Sequence, residues 1–218
     1  MCVKRIFLVL AVCTATLSGC ASTPSSSGGG VGTTAFSGPA APDTTRLTLL
    51  AVDRSGSTQH IRGQLMNTAF GIGTSFDASR DSFRLYRFGN SIQEVYSQLP
   101  EDDDAFALVL AQEVKISDPT RGTNYPKVAE TLAEAAADAT EKQIRIVIVG
   151  DGLDDYASDA QYKKRYRAAA QRLARNPHIV WVRFWGLDTG TREQIRSVFK
   201  PLGRRLQLQS LDQNPLAP

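Results

Sequence analysis

Apolar residues along this chain gather into two kinds of pattern. Leu47 to Val52 and Ile144 to Val149 are short, nearly continuous apolar runs, the second broken only by Arg145. Such runs predict strands buried on both faces, the habit of a parallel sheet covered by helices. Leu47 to Asp53 is therefore the first strand. Thr58 to about Phe70 follows with helical spacing, its apolar face Ile61, Leu65 and Ala69, closed by Gly71 and Gly73. Asp81 to Phe88 and Ser91 to Gln98 alternate around Gly89-Asn90 and predict a hairpin. Pro100 with the acidic run Glu101 to Asp104 predicts a helix start favoured by the helix dipole, running to about Val114. Pro126 opens another helix to Ala139. After Ile144 to Val149 come a helix from Asp159 to about Ala174, stopped by Asn176-Pro177, and a strand from His178 to Trp185. Thr191 with Gln194 reads as a capping box for a short helix ending near Pro201, and Arg205 to Gln209 as an edge strand.

Strand and helix thus alternate, which predicts an α/β, doubly wound, mostly parallel sheet of six strands flanked by helices, with right-handed crossovers. Ligands of such sheets bind beyond the carboxyl ends of the strands, where strand order reverses. Asp53 and Asp151 both stand at strand carboxyl ends, and Thr123 lies in a loop just before a helix.

The residues before 45 are of another kind. Lys4 and Arg5 precede the apolar stretch Ile6 to Val12, too short for a stable membrane span and fitting a signal peptide over residues 1–19. Its end, Leu17-Ser18-Gly19-Cys20, resembles the lipobox of bacterial lipoproteins, which implies cleavage before a diacylated Cys20. Ala21, being no aspartate, would permit transport to an outer membrane. The expected location is the bacterial envelope, on the periplasmic side of an outer membrane where there is one. Cys2 and Cys13 fall in the removed part, so Cys20 alone would remain and no disulfide framework is expected. Residues 20–44 are rich in Ser, Gly, Thr, Pro and Ala and predict a flexible tether. One domain is expected over 45–211 and a short tail over 212–218. The net charge of +3 falls to +1 without Lys4 and Arg5, which gives no basis for a nucleic-acid ligand or binding to bulk lipid.

Asp53, Ser55 and Ser57 occupy alternate positions where the first strand ends; Thr123 and Asp151 add two oxygen donors in similar settings. A hard cation such as Mg²⁺ takes oxygen ligands, keeps several waters, and is held by few carboxylates. Two carboxylates roughly balance a divalent ion and three hydroxyls add no charge. The ion would stay electrophilic, open to an anionic ligand from outside. These five residues resemble the metal-ion-dependent adhesion site of von Willebrand factor A domains, and the resemblance covers nearly all of Arg46 to Leu211. It implies a sheet of about six strands with one antiparallel edge strand. Ser55, Ser57 and Thr123 would coordinate Mg²⁺ (or Mn²⁺ or Ca²⁺) directly, with Asp53 and Asp151 acting largely through water or hydrogen bonds. Gly150 departs from the family, where Thr often precedes the second aspartate, as does Thr58 where Met is common. Gln59 and His60 stand where integrin-like domains carry an acidic pair, so no adjacent second metal site is expected.

Other features read more plainly. Asp154 and Asp155 are expected in a solvated loop, Lys163, Lys164, Arg165 and Arg167 on a solvated helix surface, and Trp181, Phe184 and Trp185 in the core. His60, one turn beyond Ser57, is expected at the surface. Asp53 and Asp151 are expected to converge without a counter-charge. Ser55 stands where aspartate-dependent phosphatases place their general acid, no Gly-x-Ser-x-Gly surrounds a serine, and no nucleotide-binding glycine pattern is present. The expectation is a non-enzymatic, lipid-anchored module that binds a protein partner, the partner offering an acidic residue to the cation. The alternatives are an envelope lipoprotein whose metal only stabilises the fold, and a metal-dependent phosphoester hydrolase.

Overall fold

Strand β1 (Arg46–Asp53) is buried from its second residue to its last, as a continuous apolar run requires. The computed structural model describes residues 45–210 except 77–79, 98, 100–101, 116–121 and 157. The signal segment, Cys20, the tether, Pro100 and the tail lie outside the described residues. β1 lies in the middle of a six-stranded sheet, between β2 (Asp81–Phe88) and β4 (Gln143–Val149), both parallel to it. The order is β3-β2-β1-β4-β5-β6, with β5 (Ile179–Trp185) and β6 (Leu206–Gln209) continuing the parallel set. β3 (Ile92–Tyr96) is the antiparallel edge strand of the expected hairpin, with a register shift between Leu85 and Tyr86.

Alternation along the central strands sends side chains to two cores. Leu50, Val52, Val147 and Val149 meet Leu65, Ala69 and Ile72 of α1 (Arg62–Gly73) and Phe106 and Leu110 of α2 (Asp103–Glu113). Leu49, Ala51, Ile146 and Ile148 meet Val128 and Leu132 of α3 (Tyr125–Ala137), Ala169 and Leu173 of α4 (Ala160–Arg175), and Ile195 and Phe199 of α5 (Thr189–Phe199). Side-chain caps set three of the starts. Asp102 accepts from the Ala105 N–H, Asn124 from the Lys127 N–H, and Asp159 from the Gln161 and Tyr162 N–H groups.

Three expectations about elements are corrected. The first helix does not run as one α-helix from Thr58: Ser57–Ile61 is a 3-10 turn and α1 begins at Arg62. Thr58 is the cause, because its hydroxyl donates back to the Ser55 carbonyl at 2.9 Å and holds the chain tight beside the strand end. The Thr191 capping box does not form. α5 starts at Thr189 after Asp188, and the buried Thr191 hydroxyl instead donates to the Asp151 carbonyl at 2.8 Å. Trp181 is only half-buried, with the Arg183 guanidinium 4.6 Å from its ring centre, whereas Phe184 and Trp185 are core residues.

Candidate metal centre

The change of winding direction at β1 and β4 leaves a crevice at their carboxyl ends, and Asp53 and Asp151 both terminate there. Asp53, Ser55, Thr123 and Asp151 are all buried, and Ser57 is exposed at the rim. The Ser55 N–H donates to Asp53 Oδ1 at 2.7 Å, and the Ser55 and Ser57 hydroxyls lie 3.0 Å apart. Thr123 is tied to the loop after β4: its N–H donates to Asp155 Oδ2 at 2.6 Å, and its carbonyl accepts from the Asp155 N–H at 3.3 Å. The Asp151 carbonyl is held from the far side by the Asp188 N–H at 2.9 Å and the Thr191 hydroxyl. The loops before α3, after β4 and after β5 are thereby latched to one another.

Burial in this crevice pushes the Asp53 carboxyl up to about 7; the Ser55 hydrogen bonds oppose the rise, Asp151 adds to it and Arg62 counters it. Asp151 has one oxygen, Oδ1, accepting from the Leu153 N–H at 2.9 Å. Its other oxygen, Oδ2, is buried and has no hydrogen-bond partner. An orphaned carboxylate oxygen of this kind costs on the order of 1–3 kcal/mol or more unless something satisfies it. Among the described residues no group of three or more His, Cys, Asp or Glu side chains converges. The donor set is therefore two carboxylates with hydroxyls, which suits a hard, oxygen-seeking cation and not a soft transition metal. The residues present fit the expected ion.

Three residues that the sequence reading passed over shape the crevice. Arg62 is a counter-charge where none was expected: it is buried, and its Nη2 donates to the Ser55 carbonyl at 2.5 Å and to the Thr58 hydroxyl at 3.1 Å. Thr58 and Arg62 are four residues apart, one helical turn, which is the signal that could have found the pair. Tyr125 is also buried: its hydroxyl accepts from the Gly152 N–H at 2.9 Å and reaches Asp53 Oδ2 at 3.4 Å, and burial raises it well above the usual tyrosine range. It explains the departure at Gly150, where a Cβ would stand 2.6 Å from the Tyr125 hydroxyl and 2.8 Å from Asp53 Cβ. Gly152 has φ of 80°, and a Cβ there would meet Thr191 Oγ1 at 2.6 Å.

The loop after Asp151 is not simply solvated. Asp155 is exposed but clamps Thr123, and Asp154 is half-buried, with burial and then Asp155 pushing its carboxyl up to about 6. Arg165 is not merely solvated either, since it forms a paired contact with Glu130 of α3. Lys163, Lys164 and Arg167 are exposed as expected, and so is His60, whose Nδ1 lies 2.9 Å from the Ser57 carbonyl. His60 also edges a groove shared with Asp151, Leu153 and Leu187, so it stands at the rim of the crevice.

Solved structures share this architecture. The PilB minor pilin from Streptococcus sanguinis superposes with a TM-score of 0.62 at 11% identity, covering 82% of this chain and 60% of that chain. The SpRpn10 VWA domain superposes with a TM-score of 0.56 at 15% identity, covering 79% of this chain and 92% of the other. A von Willebrand factor type A protein from Catenulispora acidiphila gives 0.56 at 16% identity, covering 79% and 39%. This chain thus spans 60% of the length of the pilin and 39% of that of the Catenulispora protein. No family model matches the sequence, and no curated protein matches it. At these identities the likeness is one of fold: the domain has the von Willebrand factor A fold.

Proposed function

We propose that this von Willebrand factor A fold is a protein-binding module that engages its partner through a divalent cation, displayed from a bacterial membrane by an acylated Cys20. The observation that carries the reading is the buried, unpartnered Asp151 Oδ2 beside an Asp53 carboxyl that burial makes costly to ionise. A bound cation would satisfy the orphaned Asp151 oxygen and favour the ionised form of Asp53. Asp53, Ser55, Ser57, Thr123 and Asp151 are the residues that would hold Mg²⁺ or Mn²⁺. The ion would supply Lewis acidity toward an oxygen anion, here an Asp or Glu side chain of the partner.

The chain's own groups support that role. Arg62 offsets part of the negative charge, so the site would hold its cation without becoming repulsive to an acidic partner. Ser57 at the rim and the groove beside Asp151, walled by Leu153 and Leu187, leave a contact surface around the ion. That one structural relative is a minor pilin accords with a role in protein contacts.

The test is a pull-down from envelope extract with and without chelator, comparing wild type with Thr123→Ala. Thr123→Ala removes a neutral ligand and no charge, so its melting temperature in chelator should match wild type while partner capture falls. Capture that survives chelation, or that Thr123→Ala leaves intact, would transfer the cation to a purely structural role.

A further inference from the structure

The start of α3, the loop after β4, and helices α4 and α5 line a cavity of about 290 Å³. That is just under the roughly 300–1,000 Å³ of typical small-molecule pockets. None of the cation-site donors lines it. Its wall carries both signs of charge: the carboxylate of Asp154, and the cations of Lys163 and Arg167 one turn apart on α4. No ion pair joins Asp154 to either cation among the described residues. The Tyr166 hydroxyl is unsatisfied as well. Tyr166 is 3% exposed, its ring packs edge-on against Phe199, and its hydroxyl is buried with no hydrogen-bond partner. Asp154 and Tyr166 line the same cavity.

We propose that this cavity binds a small zwitterion, a free α-amino acid or a dipeptide, with its ammonium on Asp154 and Tyr166 and its carboxylate on Lys163 and Arg167. The ammonium carries three donors. Asp154 Oδ1 already accepts from the Tyr156 N–H at 3.1 Å, which leaves Oδ2 for the ligand. The Tyr166 hydroxyl offers a second acceptor, and Tyr156, its ring stacked on Tyr162, also stands in the wall. Arg167 presents the planar fork that binds carboxylates in pairs of hydrogen bonds, and Lys163 adds a point charge. Gln194 and Ser197 of α5 can hold the amide of a dipeptide. Two cations and one carboxylate stand in the same wall, so a ligand that carries a carboxylate and an ammonium together meets an opposite charge at each end.

The full chain is titrated calorimetrically with glycine and with the dipeptide Ala-Ala, each also in N-acetylated and carboxamide form, in the wild-type and Asp53→Ala backgrounds. Saturable binding of either unblocked probe is expected in both backgrounds, because none of the cation-site donors lines the cavity. The tighter of the two probes identifies the source as free amino acid or peptide. Blocking either end, or making Asp154→Asn or Arg167→Gln, should weaken binding at least about tenfold, the loss of one charged hydrogen-bonded contact. Tyr166→Phe keeps the ring packing and should weaken it by a smaller factor. No binding of either probe up to millimolar concentration, or affinity unchanged by blocking and by both charge substitutions, overturns the proposal.

Discussion

Asp53 is where the chemistry of this protein concentrates. A carboxyl whose folded value, about 7, stands above its ordinary 3.8 takes up a proton on folding. Its contribution is therefore favourable below that ordinary value and is lost as pH rises through 7. In chelator, wild type should lose roughly 3 kcal/mol relative to Asp53→Asn between pH 5 and pH 8. Denaturant melts of both proteins at the two pH values check this, and parallel slopes would contradict it. Gly150 is the steric counterpart. Gly150→Ala drives a methyl into the Tyr125 hydroxyl and Asp53, and an overpacked core of this kind costs about 1–3 kcal/mol. Adding Tyr125→Phe removes one of the two obstacles, so the double variant should be more stable than additivity predicts, by an amount in the range of about 0.5–3 kcal/mol typical of contacting residues.

At the scale of elements, periodicity carried most of the fold. Continuous runs marked β1 and β4, alternation marked the β2–β3 hairpin, and the two strand-end aspartates pointed to the crevice because in a doubly wound sheet strand ends at the switch point must converge. What escaped were contacts made across the sequence. Arg62 reads as an ordinary helix residue until the 3-10 turn folds it onto the Ser55 carbonyl, and Tyr125 looks like a core aromatic until Gly150 is seen to leave room for its hydroxyl. Thr191 reads as a cap because cap and carbonyl latch use the same hydroxyl, and only the β4–α5 packing decides between them. Arg165 had a similar fate, and its pairing with Glu130 joins α4 to α3 at a half-exposed position. Arg165→Ala should cost no more than about 1 kcal/mol, as surface pairs do. Its response to added Mg²⁺ should equal that of wild type, which thermal melts with and without the ion measure.

For the whole molecule, the proposed function places a cation-dependent head on an acylated anchor. The lipobox-like Leu17 to Cys20 predicts that cells fed a clickable palmitate incorporate it into the wild-type protein and not into Cys20→Ser; stable anchoring needs more than one acyl chain, which such a cysteine supplies. The head is built so that three distant segments bring two carboxylates and their hydroxyls to one edge of the sheet, with Arg62 bonded to the Ser55 carbonyl and Asp155 and Thr191 fixing the loops. Everything proposed for its function depends on a divalent ion at that edge. The most direct measurement is the melting temperature of wild type, Asp53→Ala and Arg165→Ala across a Mg²⁺ or Mn²⁺ series. A ligand bound only by the folded state stabilises it by roughly 2.7 kcal/mol at a hundredfold excess over Kd. The account predicts a concentration-dependent rise for wild type and Arg165→Ala and none for Asp53→Ala; equal rises in all three proteins, or no rise in any, would contradict it.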